Sequence, residues 1–480
     1  MCLSVLWAGG PFLNYSIAGA QPVVRADARS LAYILALSLA AAYFLAWPLW
    51  RAQFFIEIWF TESWNAYWQD AATTWLPIYR PPDNLAGNNY PPLSFYAVGF
   101  IGKLLHVDNL FVGRWLSLVG LSALAVEAFL VVRTLTGEKL GAAVAALWYL
   151  AIMARNSTMY VGANDPQIAG LAIMGAGLIW FLRRTEFGGS PTPALMLMVV
   201  SGFWKHNNVA IPLAALAWLW LSRSKYAYRS TAASAEAVLV GLAACVVVFG
   251  PNFIPSLLAT RQYAWSNVLG NIGHLQWYAV ALLIWGAWAV CDRSSQPAKF
   301  TAVHIGLALS TCILQWLGHG IFGNAEFDFI FALAIGLGVA FNRVETSSLA
   351  RRIGTNRCRD AMIVALLLRL FLTDRQETAL LVLSSEFRRS IYISERNVLS
   401  EAGTVAATQG DVACFVKLVC RQAGKPFVVD EFKTDELVAT GRATPADIAA
   451  LFRASGITYH PKTQATGAEI DTSLSHWWRS

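Results

Sequence analysis

The sequence predicts a polytopic α-helical membrane protein of about eleven spans, with a small α/β domain at its C-terminal end. Three observations carry this reading. Hydrophobic residues make up 56% of the 480 and charged residues only 14%, with a mean hydropathy of +0.48, where soluble domains carry about 25% charged residues. Apolar runs of bilayer length recur between short basic loops. Beyond about residue 373 these runs give way to short, capped segments of mixed polarity. The formal charge of +7 lies in loops between apolar segments and forms no clustered basic face, so it speaks for membrane topology and against nucleic acid as a partner.

Residues 1–30 form an N-terminal segment. It ends its first twenty residues in small side chains but lacks a basic start and is broken at Gly9-Gly10-Pro11, so no cleaved signal is expected. Residues 31–50, preceded by Arg25 and Arg29, make a first span entering from the cytoplasm. Residues 51–110 are then an external loop. Within it, 62–74 reads as a short helix with Trp64, Tyr67, Trp68 and Ala71 on one face, stopped by Pro77, Pro81 and Pro82. Residues 93–105 are apolar but too short to span, and suit a helix lying in the interface.

Further spans follow at 111–132, 139–155, 166–182, 193–204, 209–221, 234–250, 275–291, 301–318, 327–341 and 361–373. The membrane domain is thus 31–373. In this topology sixteen Lys and Arg fall on the cytoplasmic side and seven on the outer side, as positive-inside orientation requires. In the remaining domain, 374–480, residues 412–415, 426–429 and 457–459 read as strands. Thr444, Pro445 and Asp447 read as the cap, first position and first-turn acid of a helix. This domain lies outside if the last span is real and inside if it is not. Cys414 and Cys420 are expected as buried free thiols, with a bridge as the alternative in an oxidising compartment.

The chemistry gathers in the stretch from Thr61 to Tyr96, an aromatic loop too long to be passive. Glu62 opens its helix near the membrane, either as a solvated carboxylate or as a general base or metal ligand. Asp70, two turns on, is a helper or a solvated residue. Asn88, Asn89 and Tyr90 form a rigid turn before Pro91-Pro92, suited to hold a sugar or simply to end the loop. Asp165, before Pro166, is a helix cap or an active-site acid on the same outer side. Lys205, His206, Asn207 and Asn208 break two apolar segments; there Lys205 is either a snorkelling interfacial lysine or the group that neutralises a lipid-linked phosphate, with amide help from Asn208. His206 is expected to pack. Arg261 is a further phosphate candidate in the external 251–274 loop, and Glu326 and Asp328 are either helix-start acids or further members of the site. No nucleophile motif, phosphate-binding Gly loop or His/Cys metal cluster stands in the sequence.

The first-loop acid, the YPPLSFY stretch, Phe111-Val112-Gly113-Arg114-Trp115-Leu116-Ser117 and the Asn164-Asp165-Pro166 turn together resemble the GT-C membrane glycosyltransferases. The likeness is to the bacterial branch related to aminoarabinose transferases and protein O-mannosyltransferases, and covers about residues 31–341. It implies a hexosyl- or pentosyltransferase of the cell envelope. Such an enzyme takes a sugar from a polyprenyl-phosphate donor and passes it to a lipid, glycan or protein acceptor, usually with inversion, on the outer face of the bacterial cytoplasmic (inner) membrane. By this resemblance Glu62 matches the essential first-loop acid, Asp165 the acid before the fourth span, and Lys205 a lysine between two short spans. A divalent cation (Mg or Mn) is used by some relatives. Two departures stand out: Thr61 precedes Glu62 where the family often has an Asp-Glu pair, and Asn89-Tyr90 replaces a Glu-Lys before the prolines. The competing reading is a transporter or flippase of a lipid-linked or small solute, which predicts paired broken helices; one break, at Lys205, is visible. A non-catalytic membrane scaffold is the third.

Overall fold

In the computed structural model, residues 27–74, 76–81, 84–259, 261–321, 323–372 and 377–461 are described. The N-terminal signal question, at residues 1–20, lies outside them. Helix α1 (Ala28–Arg51) begins where the Asp27 side chain accepts the Ser30 N–H, 2.7 Å. The first loop then supplies α2 (Phe60–Thr74) and α3 (Leu93–Leu105). The membrane bundle continues with α4 (Asn109–Thr136), α5 (Leu140–Asn156), α6 (Pro166–Glu186), α7 (Thr192–Trp204), α8 (Ala210–Leu221) and α9 (Ala227–Phe249). Helices Ala279–Cys291, Gln296–Trp316, Phe327–Asn342 and Thr355–Phe371 complete it. Each span read from the sequence thus overlaps a helix, although 275–291 is broken before Ala279 by a bend of 74°. Among the described residues six helices are long and apolar enough to cross a membrane, or up to seven if the bent pair Trp265–Trp277 and Ala279–Cys291 forms one span.

Burial separates the core from the lipid face. Phe327–Asn342 is buried along its whole length, as a helix apolar all round must be when its neighbours enclose it. Helix α9 instead leaves Leu239, Val240, Val247 and Val248 exposed on its outer side. Small residues bring the core helices close. A Cβ at Gly120 of α4 would stand 2.9 Å from the Ala169 Cα of α6, so the two backbones touch where only glycine fits.

The C-terminal domain departs from the sequence reading in two places. Its sheet holds β1 (Val412–Cys414) and β2 (Thr458–His460), paired in parallel; residues 426–429 join neither strand. That segment instead lies against the first loop, where the Phe427 carbonyl accepts from Arg80, 2.8 Å, and its ring stacks on Tyr67. Cys414 and Cys420 form a disulfide where two thiols were expected. The helix Pro445–Ala454 has its full capping box between Thr444 and Asp447.

Contacts tie this domain to the first loop. Arg421 bridges Asp70 of α2 (2.7 and 3.0 Å) and Asp108 at the start of α4 (2.9 and 3.0 Å). Trp64 donates to Asp430 at 2.9 Å, Tyr67 to the Lys425 carbonyl at 3.1 Å, and the Phe55 N–H to Glu395 at 2.7 Å. The domain is thus seated on the first loop, on the same face of the bundle.

Candidate functional site

The site is assembled from two anchored turns. The first is the link from α5 to α6. A buried polar face of α2 carries Glu62, Asn65 and Gln69, spaced so that all three reach one neighbour. That neighbour is Asn164. Its N–H donates to Glu62 Oε1, 2.7 Å, and its amide exchanges hydrogen bonds with the Gln69 amide, 2.9 and 3.0 Å. Asn65 donates to its carbonyl at 2.8 Å. On the far side stands Gly113 of α4, where a Cβ would lie 1.7 Å from Asn164 Oδ1. The next residue, Arg114, closes the arrangement on Glu62, with Nε on Oε1 at 2.8 Å and Nη2 on Oε2 at 2.7 Å.

Glu62 is consequently placed differently from the loop base that the sequence suggests. Its carboxylate is fully buried and accepts from Arg114 twice, from Asn164 and from the Ile58 N–H at 2.7 Å. Four donors occupy a carboxylate's usual acceptor capacity. The group is built into the scaffold, and what it fixes is the residue after Asn164.

That residue is Asp165. It caps α6, with Oδ1 accepting the Gln167 N–H at 2.8 Å and Pro166 at the first helical position. Its Oδ2 has no hydrogen-bond partner among the described residues. Burial raises its carboxyl above the ordinary range, opposed by the Lys205 ammonium.

The second turn is the break between α7 and α8. Here Asn208 clasps the first turn of α6, accepting from Gln167 Nε2 at 2.5 Å and donating to the Gln167 carbonyl at 3.2 Å. Trp204 donates to the Pro166 carbonyl, 3.1 Å. These bonds hold Lys205, almost wholly buried, against the turn that carries Asp165. The Lys205 Nζ stands 2.9 Å over the centroid of the Tyr90 ring. Tyr90 is set by the expected turn: its N–H donates to Asn88 Oδ1 at 2.9 Å and its carbonyl accepts from Tyr79 at 2.9 Å. Asn88 is buried rather than exposed, and Asn89 is half-buried between them. The Trp64 ring packs edge-on against Tyr90 at 4.9 Å, and the His206 ring lies 6.4 Å away.

Around Tyr90 four charges converge. Asp165, Arg261 and Asp430 each act on its hydroxyl, and Arg261 acts on Lys205 as well. Lys205, Tyr90 and Asn88 are in direct contact, and Asn208 is bonded to the helix that Asp165 caps.

Asp70 is not among them. Eight helical steps turn it about 80° away from Glu62, and it faces Arg421 and Asn109 Nδ2, 2.7 Å. Glu326 pairs with His274, 2.7 Å, and with Tyr278; Asp328 accepts the Ala210 N–H, 3.0 Å. Both acids serve the bundle. Sequence reasoning missed Arg114 as the partner of Glu62, and the contribution of the C-terminal domain. An arginine inside an apolar run needs a carboxylate, so the Arg114 signal was present. Among the described residues no group of three His, Cys, Asp or Glu side chains is placed to hold a metal ion.

Fold and site together define a polytopic helical membrane protein, with a polar site between its bundle, its first loop and a small appended domain. No family model matches the chain, and no curated protein matches it. Among solved structures it resembles ArnT from Cupriavidus metallidurans in the apo state, with a TM-score of 0.55 and 13% identity over 89% of this chain and 91% of that one. The same protein bound to undecaprenyl phosphate aligns with a TM-score of 0.45 and 15% identity over 88% of this chain and 79% of that one. The first likeness establishes the fold.

Proposed function

We propose that this protein is a membrane glycosyltransferase. It moves a sugar from a polyprenyl-phosphate donor to a hydroxyl of a lipid, glycan or protein acceptor, with inversion, at the outer face of the bacterial cytoplasmic membrane. The observation that carries this reading is the seat of Lys205, its Nζ 2.9 Å over the Tyr90 ring and its turn bonded to the start of the helix that Asp165 caps, with the Arg261 charge bearing on it. An isoprenoid tail can lie along the apolar spans while its phosphate reaches the two cations.

In this reading Asp165 takes the proton of the acceptor hydroxyl as its oxygen attacks the anomeric carbon. The bond from that carbon to the donor phosphate breaks, and Lys205 and Arg261 offset the charge left on the departing phosphate. A phosphate leaves without protonation, so one carboxylate suffices where glycosidases need two. Trp64 offers a ring edge and Asn88 its Nδ2, which has no hydrogen-bond partner among the described residues, for a sugar hydroxyl, while Asn208 holds the turn. Glu62 acts through Asn164 as a positioning residue.

The fold likeness to ArnT supports the reading. The test is transfer of radiolabelled sugar from a panel of polyprenyl-phosphate donors by the purified protein in liposomes. Product formed by the wild type supports the proposal. Movement of intact donor across the bilayer without a new glycosidic bond would replace it with the transporter reading.

A further inference from the structure

Arg261 reaches the site from a loop that the C-terminal domain holds. Residues 261–264 run beside 317–319: Tyr263 and Gly318 form an antiparallel bridge, the Ala264 N–H donates to the Leu317 carbonyl at 2.9 Å, and the His319 N–H to the Gln262 carbonyl at 2.8 Å. One carboxylate grips both strands of this pair. Glu436, buried in the helix Glu431–Ala439, accepts the Gln262 N–H on Oε2 at 2.7 Å and pairs with His319 Nδ1 on Oε1 at 2.6 Å. One turn earlier in the same helix, the Phe432 ring lies 5.2 Å from the Arg261 guanidinium and is stacked on His319. Its approach requires Gly320, where a Cβ would fall 2.3 Å from the ring. The peptide next to Arg261 is thus fixed on its N–H by Glu436 and on its carbonyl by a residue that Glu436 also holds.

We infer that Glu436 of the C-terminal domain is a positioning residue for the donor phosphate: it fixes the backbone beside Arg261, so the soluble domain helps to build the site. The inference rests on the donor reading above. A free Arg261 loop would have to be ordered at each binding event, and pre-ordering it favours the bound state. The helix that bears Glu436 is also tied to the first loop, by Lys433 to the Asn84 carbonyl and by the Asp430 N–H to the Leu85 carbonyl at 2.9 Å. The position of Arg261 relative to Tyr90 therefore depends on the seating of the whole domain.

The test is equilibrium binding of undecaprenyl phosphate to the full-length protein in detergent. Wild type, Arg261→Ala, Glu436→Ala, Glu436→Gln and the Arg261→Ala/Glu436→Ala double variant are compared, each first shown to be monodisperse. Glu436→Ala is expected to weaken binding by about tenfold, the loss typical of one buried charged hydrogen bond. Glu436→Gln keeps an acceptor for the Gln262 N–H and should recover most of that loss. In the double variant binding should equal that of Arg261→Ala alone, because Glu436 acts only through Arg261. Wild-type binding with Glu436→Ala unchanged, or fully additive losses in the double variant, overturns the inference by itself. A wild type that does not bind brings down the donor reading and the inference together.

Discussion

The Glu62 carboxylate and the Arg114 guanidinium meet side-on in a two-point ion pair, at 2.8 and 2.7 Å, with both side chains wholly buried. Arg114 spends its remaining donors on the carbonyls of Ala52, Phe54 and Ile56, at 3.3, 2.6 and 2.5 Å. One arginine thereby joins α4 to the start of the first loop and, through Glu62, to Asn164.

Removing Arg114 leaves a buried carboxylate without its charge partner. Such truncations cost about 3–5 kcal/mol. Arg114→Ala should therefore lower the unfolding midpoint in detergent markedly. Replacing both partners, as Arg114→Met with Glu62→Leu, should recover part of the loss. A double variant less stable than Arg114→Ala would contradict this account of the pair.

Gly113→Ala probes the same turn from the other side. A methyl group 1.7 Å from Asn164 Oδ1 must push Asn164 away from the Gln69 amide. Overpacking of this kind costs about 1–3 kcal/mol. Because Asp165 follows Asn164, sugar transfer should fall further than thermal stability does. Unchanged kinetics would mean that the turn does not set Asp165.

The Cys414–Cys420 disulfide and the seating of its domain on the first loop make a topological prediction. In intact cells a membrane-impermeant maleimide should label neither cysteine until a reductant is added, and should label both afterwards. Labelling without reductant would contradict the bridge. Closing so short a loop contributes about 2 kcal/mol in the chain-entropy model, so Cys414→Ser/Cys420→Ser should loosen this domain without unfolding the bundle.

The His319–Glu436 pair gives a pH dependence. The hydrogen bond to Glu436 raises the His319 pKa against its burial; Asp435 acts in the same sense and Arg261 in the opposite one. A histidine raised on folding stabilises fully below its free value of about 6.5, and that contribution disappears as the pH climbs through the raised value. Hydrogen exchange in the helix Glu431–Ala439, corrected for intrinsic rate, should thus quicken from pH 6 to pH 9. In His319→Gln it should be nearly flat across that range. Equal pH responses in both proteins would show that another group governs the contact.

Much of this organisation was legible in the chain, for physical reasons that differ by element. The spans were plain because apolar length is a local property, and so were the cap at Asp165 and the capping box at Thr444, which depend on residues at fixed short offsets. The break at Lys205 was equally visible, since a cation between two apolar segments has few places to go. The partnership of Glu62 with Arg114, 52 residues apart, is a tertiary fact that no local pattern encodes. Asp70 misled because eight residues approximate two turns but overshoot them, which swings it toward Arg421. The segment 426–429 has the composition of a strand but finds the aromatic face of α2 in place of an edge to pair with. Glu436 was invisible because its function depends on a loop more than a hundred residues earlier.

The central claim is that Asp165, held by Asn164 and faced by Lys205, is the carboxylate that performs the chemistry. Its most direct test is the rate of sugar transfer from a polyprenyl-phosphate donor by Asp165→Asn, compared with wild type at equal abundance and equal unfolding midpoint. Asparagine can still cap α6 through its carbonyl oxygen but cannot take a proton. Loss of a general base typically costs about 10²–10⁴ in rate, and a fall of that size with donor binding retained is the predicted result. Transfer by Asp165→Asn at the wild-type rate would contradict the account and return Asp165 to the role of a helix cap.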